Sequence, residues 1–296
     1  MTTSDQPSFE DPLGVIRRFL QRVWREEALL AAASAFLGFL AVLSAFGVWL
    51  DPRVITGAPA WLKPFKFAVS TSVYSLTLAW VLTWLPSHLR LRRVVRVMTV
   101  VVLLLEVGII DVQAARGTTS HFNMNTPLDA VLFSIMGVAI FTQTFTTVAV
   151  AVALWRQNFA DTAMGWALRF GMTITIAGAL TGGLMSRPTE AQLAELRAGR
   201  PLVAAGAHTV GAPDGGPGLP ITGWSTRHGD LRVPHFVGLH AIQLLPLFTW
   251  LTGALARRDR QTWRTPLTIG AASMYALGFV ALLAQALLGL PVVGGS

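Results

Sequence analysis

Apolar runs of about twenty residues recur along the chain, separated by polar connections. A helix rises about 1.5 Å per residue, so roughly 20 apolar residues cross the hydrocarbon core of a bilayer. Seven runs meet that length: 29–50, 66–85, 94–115, 128–155, 164–186, 234–255 and 265–290. They predict an all-α polytopic membrane protein, a bundle of seven transmembrane helices. Ahead of them, 13–28 has a different pattern. Ile16, Phe19, Leu20 and Val23 fall near one face and Arg17, Arg18, Arg22 and Arg25 elsewhere, which predicts an amphipathic helix on the membrane surface. Residues 1–12 are polar and lack the apolar core of a signal peptide. The expected organisation is a cytoplasmic segment 1–28, a membrane domain 29–290 and a tail 291–296. The helices show no internal repeat.

One connection, 187–233, is long. It opens on Thr189-Glu190-Ala191-Gln192, a capping-box pattern that predicts a short helix to about Ala198. It then becomes rich in Gly and Pro from Gly206 to Pro220, which excludes regular helix. Long ordered loops are often lids or binding loops. Trp224, His208, Asp214 and Asp230 favour a structured cap over a floppy loop.

Charge sets the expected orientation. Arg17, Arg18, Arg22, Arg25, Arg90, Arg92, Arg93, Arg96, Arg156, Arg169, Arg257, Arg258, Arg260 and Arg264 fall on one side of the seven runs. The short connections on the other side hold Arg53, Lys63, Lys66 and Arg116. Positive charge in short loops stays inside, so the N-terminus is expected in the cytoplasm, and the C-terminus and the cap outside. Trp80, Trp84, Trp155, Trp166 and Trp263 fall at one interface and Trp49 and Trp61 at the other, as an aromatic belt does. The location expected is the inner (plasma) membrane, multi-pass.

Composition agrees. Hydrophobic residues make up 53% and charged residues 13% of the chain, against about 25% charged in soluble domains. The net charge of +8 is segregated by loop rather than gathered on a soluble face, so no nucleic-acid partner is expected. The bilayer and a lipophilic small molecule are. There is no cysteine, which excludes disulfides and thiolate metal sites. Any metal would sit on His, Asp, Glu or water.

The candidate chemistry comes from polar residues inside apolar runs, which are costly there and mark functional sites. The third run carries Glu106, Asp111 and Gln113; the sixth carries His235, His240 and Gln243. Five of the six histidines, His121, His208, His228, His235 and His240, fall on the expected outer side. The connection 116–127 is strongly polar, with Arg116, His121 and Asn123. Counting inward at 1.5 Å per residue, Asp111 lies ~7 Å deep and Glu106 ~15 Å, with His240 at ~9 Å and Gln243 at ~13 Å. Ser70, Ser72 and Ser75 of the second run lie at comparable depth, with Lys66 at its mouth. An outward cavity walled by the second, third and sixth runs accommodates all of them. In it Glu106, Asp111 and Arg116 are the expected acid–base residues, and His235, His240 and His121 the expected ligands of a divalent metal. A haem held by His240 and a second histidine is the alternative cofactor. Gln113, Asn123, Gln243, Ser72, Lys66 and Trp224 are expected to line the cavity. Lys63 and Lys66 also read as anchors to lipid phosphates, and His208 and His228 as ordinary loop residues.

Three functions fit. The first is a membrane-embedded metal, haem or acid–base enzyme acting on a lipophilic substrate, with a metal-binding oxidoreductase among its forms. The second is a proton-coupled transporter, although the inner half offers few polar partners beyond Gln143 and its neighbouring threonines. The third is a sensor or partner subunit whose cap binds a ligand. No HExxH or HxxxH spacing occurs to single out a zinc enzyme.

Overall fold

The computed structural model describes residues 12–255 and 261–294. Residues 1–11, and Arg257, Arg258 and Arg260 of the charge argument, lie outside the described residues. The described residues are mostly helical: α1 (Pro12–Glu26), α2 (Ala28–Leu50), α3 (Leu62–Leu82), α4 (Leu89–Ala115), α5 (Pro127–Arg156), α6 (Thr162–Met185), α7 (Glu190–Arg197), α8 (Arg232–Leu239), α9 (Ala241–Leu255) and α10 (Arg264–Leu287). Two tiny antiparallel pairs, β1 (Val54–Ile55) with β2 (Ala58–Pro59) and β3 (Thr209–Val210) with β4 (Gly229–Asp230), close loops.

α2, α3, α5, α6 and α10 are long and apolar enough to cross a membrane, and α8 with α9 makes a sixth span if the bent pair counts as one. α4 is 27 residues long. Its first turns carry Arg90, Arg92, Arg93 and Arg96, and it packs against α2, α3 and α5. Large apolar side chains stand exposed along these helices, among them Phe36, Phe39, Phe46, Phe141, Phe145 and Leu277. A soluble protein does not leave so much apolar surface in water. The molecule has the build of a membrane protein.

Helices pack here through small residues and shared hydroxyls, because lipid supplies no hydrophobic drive between them. Ser34 Oγ donates to Ser72 O at 2.9 Å, Ser72 Oγ to Ser34 O at 2.8 Å, and Ser75 Oγ to Leu30 O at 2.9 Å, riveting α2 to α3. Ser72, expected to line the cavity, is spent on this rivet. Gly47 leaves room for Trp61, whose Cγ would lie 2.5 Å from a Cβ at that position.

Two ends of the bundle can be told apart. At one, α1 lies against α2 and α3, and buried Glu27 accepts from Arg92 Nε at 2.7 Å. There too Arg264 reaches Asp161, the N-cap of α6, and Thr249 O. This is the arginine end. At the other, the segment from Met185 to Arg232 folds over the helix ends as a cap. Its capping box forms as the pattern predicts: Thr189 Oγ1 accepts from Gln192 N, and Gln192 Oε1 from Thr189 N.

The run 234–255 is not one straight helix. It starts at Arg232 and bends by 44° between α8 and α9, with His240 at the break. Gly178 of α6 and Gly238 of α8 touch at backbone distance; a Cβ on Gly178 would lie 2.7 Å from Gly238 Cα. Side chains take up carbonyls around the break: Tyr275 Oη donates to Val237 O at 2.6 Å, and Thr175 Oγ1 lies 3.5 Å from Leu239 O. A break in a span persists where neighbours re-satisfy the backbone, and hydropathy along one run does not register those neighbours.

Candidate functional site beneath the cap

A clamp at the start of α5 shapes the loop that carries His121. Asp129 Oδ1 accepts from Arg116 Nη1 at 2.7 Å and from Gln113 Nε2 at 2.8 Å, and its Oδ2 accepts from Thr126 Oγ1 at 2.6 Å. Arg116 also donates to Gln113 Oε1. Asn123 Nδ2 donates to Thr118 Oγ1 and Thr119 O at 2.9 Å, while its Oδ1 accepts from Asn125 N at 3.0 Å. Gln113, Arg116 and Asn123, expected at the site, are thus engaged in holding the loop. Between them Phe122 adopts a left-handed φ of 61°, a strained conformation for a bulky residue. The cap pins it: Ala205 N donates to Phe122 O at 2.8 Å and Met124 N to Val203 O at 3.0 Å.

This loop sets His121 against Glu106 of α4. His121 Nε2 lies 3.5 Å from Glu106 Oε1, and its Nδ1 meets Ser120 Oγ at 3.1 Å. Glu106 is only 2% exposed, and its Oε2 has no protein hydrogen-bond partner. The His121 ring packs on Phe67 at 5.3 Å, and Lys63 Nζ stands 5.8 Å from the same Phe67 ring. Lys63 is near enough for its charge to act on both Glu106 and His121. Among the described residues no carboxylate lies within ion-pair distance of Lys63 or Lys66. Lys66 Nζ lies 3.4 Å from Ile221 O and Thr222 O of the cap.

The cap adds a second imidazole. His208 Nδ1 meets Asp214 Oδ2 at 2.8 Å, and Asp214 also accepts from the His208 and Thr209 backbone N–H groups. The His208 ring lies 4.9 Å from Phe122, which is edge-on to His121 at 6.1 Å. Burial raises the Asp214 carboxyl, but the bonds from His208 and from those two N–H groups outweigh it and hold it well below the usual carboxylate range. Burial lowers His208 against the pull of Asp214, and burial lowers His121 well below its usual value, helped by the charge of Lys63. Both imidazoles are therefore held neutral under the cap.

That has a pH consequence. A histidine whose folded pKa is depressed takes up its proton more readily when the cap is open or the chain unfolded. The stability is complete above the unfolded value of about 6.5 and is lost progressively as pH falls below it. Hydrogen exchange of residues 203–231 is expected to quicken between about pH 7 and pH 5, less so in His121→Gln. Exchange independent of pH, after correction for the intrinsic rate, contradicts this. The seating of the cap also needs Gly206, which sits at φ 118° with Met185 O 2.3 Å from where a Cβ would be. Gly206→Ala is expected to unseat the cap and expose 203–231 to protease; a wild-type digestion pattern contradicts it.

The sixth run divides its polar residues. His235 Nδ1 lies 2.7 Å from Gly178 O at the α6–α8 crossing. His240 is turned to its own helix, with Nδ1 2.8 Å from Phe236 O and its ring on Phe236 at 4.0 Å; Trp224 joins that stack at 5.6 Å. With its amide nitrogen turned to the break, Gln243 donates to His240 O and Leu239 O at 3.1 Å. Asp111 is ~140° round α4 from Glu106, and its Oδ1 is buried without a protein partner. His121, His235 and His240, expected as a metal trio, do not close on one point. Among the described residues no three His, Cys, Asp or Glu side chains form a group able to hold a metal ion.

Comparison with protein-family models, with curated proteins and with solved structures found no match to this chain.

Sequence reasoning placed Glu106 and His121 here but missed Lys63, read as a lipid anchor, and the His208–Asp214 pair, read as loop. The six-residue spacing of that pair inside a Gly/Pro-rich stretch is the signal that could have found it. It also missed a stripe on α4. Arg92, Thr99, Glu106 and Gln113 recur every seventh residue, and all four are buried.

Proposed function

We propose that this chain is a seven-span protein of the inner membrane, with α4 as one span and the cap outside, that performs acid–base chemistry on a lipophilic substrate beneath the cap. The orientation rests on the arginines gathered at the end opposite the cap. The observation that carries the chemistry is the contact of a buried carboxyl, Glu106, with the Nε2 of a neutral histidine, His121, at 3.5 Å. This is a donor and an acceptor between which a proton can move, shielded from water. Contacts of this kind are often long before substrate arrives. Lys63 would stabilise negative charge developing on the substrate, as fixed cations do in dry sites. His208, oriented by Asp214, is the second base within the cluster. An apolar substrate would enter from the bilayer, where α2 and α3 leave an open apolar groove at Phe46, Phe65 and Val69.

The test is mass spectrometry of lipid extracts from membranes that overproduce the wild type or Glu106→Gln at matched levels. At least one lipophilic species is expected to change in the wild type alone. Identical profiles sink the proposal.

A further inference from the structure

The site does not stand alone in the membrane. Successive members of the α4 stripe, Arg92, Thr99, Glu106 and Gln113, are ~10.5 Å apart along the helix, and a seven-residue step drifts only ~20° round it. They mark one buried face from the arginine end to the cap end. Partway along, α3 and α5 add hydroxyls and an amide. Tyr74 Oη and Thr147 Oγ1 are 3.2 Å apart, and Gln143 Nε2 donates to Tyr74 Oη at 3.1 Å. Measured from the cap-end helix termini, Tyr74 lies ~18 Å deep and Thr99 and Gln143 ~24 Å. At the arginine end, Glu27 takes Arg92 at 2.7 Å and Arg96 at 3.4 Å, and Glu26 reaches Arg92 at 3.4 Å. Two carboxylates meet three guanidiniums there, since Glu26 also pairs with Arg22 at 3.2 Å.

The buried oxygens without partners fall along this line. Among the described residues the buried side-chain oxygens lacking a protein hydrogen bond are Glu27 Oε2, Thr99 Oγ1, Glu106 Oε2, Asp111 Oδ1 and Gln143 Oε1. All but that of Asp111 belong to the route just described, and of these Glu27 Oε2 has the Arg96 guanidinium as an ion-pair neighbour at 3.4 Å. Buried polar atoms are as a rule bonded, to protein or to water, and a buried water needs two to four polar partners. Packing alone would give isolated interhelical pairs, not unbonded oxygens on Thr99, Glu106 and Gln143 at successive depths.

We propose that the α4 stripe is a proton route from the arginine end to Glu106, carried by waters between Glu27, the Thr99–Gln143–Tyr74 group and Glu106. The inference rests on Glu106 being the proton-carrying group of the cap-end site. A proton entering at Glu27 passes along hydrogen-bonded waters, each accepting one proton and releasing another. It is taken up at Glu106 Oε2, while Oε1 hands a proton to substrate or to His121 Nε2, whose Nδ1 releases one through Ser120 Oγ to water at the cap end. No electron moves. A gap of ~10.5 Å needs about four hydrogen-bond steps near 2.8 Å, or about three waters.

The test uses the full chain in sealed liposomes containing the pH dye pyranine, with a potassium gradient and valinomycin to drive protons inward. The wild type is expected to show influx above protein-free vesicles, reduced about a hundredfold by Glu106→Gln. Thr99→Val, which keeps the shape and removes the hydroxyl, is expected to reduce it about tenfold or more. Thr99→Ser restores it, and Ser134→Ala, at an exposed position of α5, leaves it unchanged. Each variant is first checked for a monodisperse elution profile. Influx at the protein-free level, or influx that Thr99→Val leaves unchanged, overturns the route. Changed lipids without influx leave the cap-end chemistry standing and remove the route; influx without changed lipids keeps the route and removes that chemistry.

Discussion

Glu106→Gln is expected to leave a folded, correctly inserted protein that has lost its turnover. The substitution keeps the volume of a side chain that is 2% exposed and keeps an atom able to face His121, so packing changes little. What it removes is the transferable proton. A positioned acid or base contributes about 10²–10⁴-fold, or roughly 3–5 kcal/mol of barrier, and the loss should fall in that range. The quantity to measure is the rate at which the lipophilic species that distinguishes wild-type membranes is consumed or formed by purified protein in detergent. His121→Gln should show a loss of the same order, because His121 is the other half of the contact. If each variant turns over at the wild-type rate while eluting as the wild type does, the proton does not pass through this pair.

The largest expected effect on stability lies at the opposite end. Glu27 is fully buried and Arg92 nearly so, and they meet at 2.7 Å. Removing one partner of a buried ion pair costs about 3–5 kcal/mol, because the charge left behind has neither water nor counter-ion. Arg96, 3.4 Å from the other Glu27 oxygen and 28% exposed, supplies part of the compensation, so Arg92→Ala should fall near the lower end, about 3 kcal/mol. In thermal unfolding followed by tryptophan fluorescence this is a drop in Tm of roughly 10 °C. The double variant Arg92→Ala with Glu27→Ala should recover part of the loss, since no charge is then stranded. A single variant as stable as the wild type would mean that Glu27 is neutral or hydrated in the protein. Either state would bear directly on its place at the entrance of the proton route.

These two residues show how unevenly the chain discloses itself. Glu106 is conspicuous in sequence because an acid in the middle of an apolar run needs a reason. Glu27 is not, because it lies at the boundary between a polar and an apolar stretch, where a glutamate is unremarked. The same holds for Lys63 and Lys66. At the mouth of a span a lysine reads as a lipid anchor, and only the cap's Ile221 and Thr222 carbonyls over Lys66 and the Phe67–His121 pair beside Lys63 show that these two face inward. Arg116 illustrates the converse. Its position at the end of α4 suggested chemistry, yet Asp129, thirteen residues on, holds it in a clamp. Ser72, placed in the cavity by its depth alone, bonds Ser34 and also lines the apolar groove between α2 and α3.

What the sequence determined by itself is the class of molecule. Several helices long and apolar enough to span a bilayer, a capping box at Thr189 and a buried acid at Glu106 are local properties. A backbone in lipid must satisfy its own hydrogen bonds within each segment, so the length and polarity of a segment suffice to define it. What the tertiary structure decided is which polar groups meet. His121 against Glu106, His208 against Phe122 and the alignment of Tyr74 and Gln143 with the α4 stripe all join separate segments or loops. Each depends on the rotation and depth of one element relative to another. Those are set by close contacts such as Gly178 on Gly238 and Ser34 on Ser72, and a few degrees of helix rotation would send the same side chains to lipid instead.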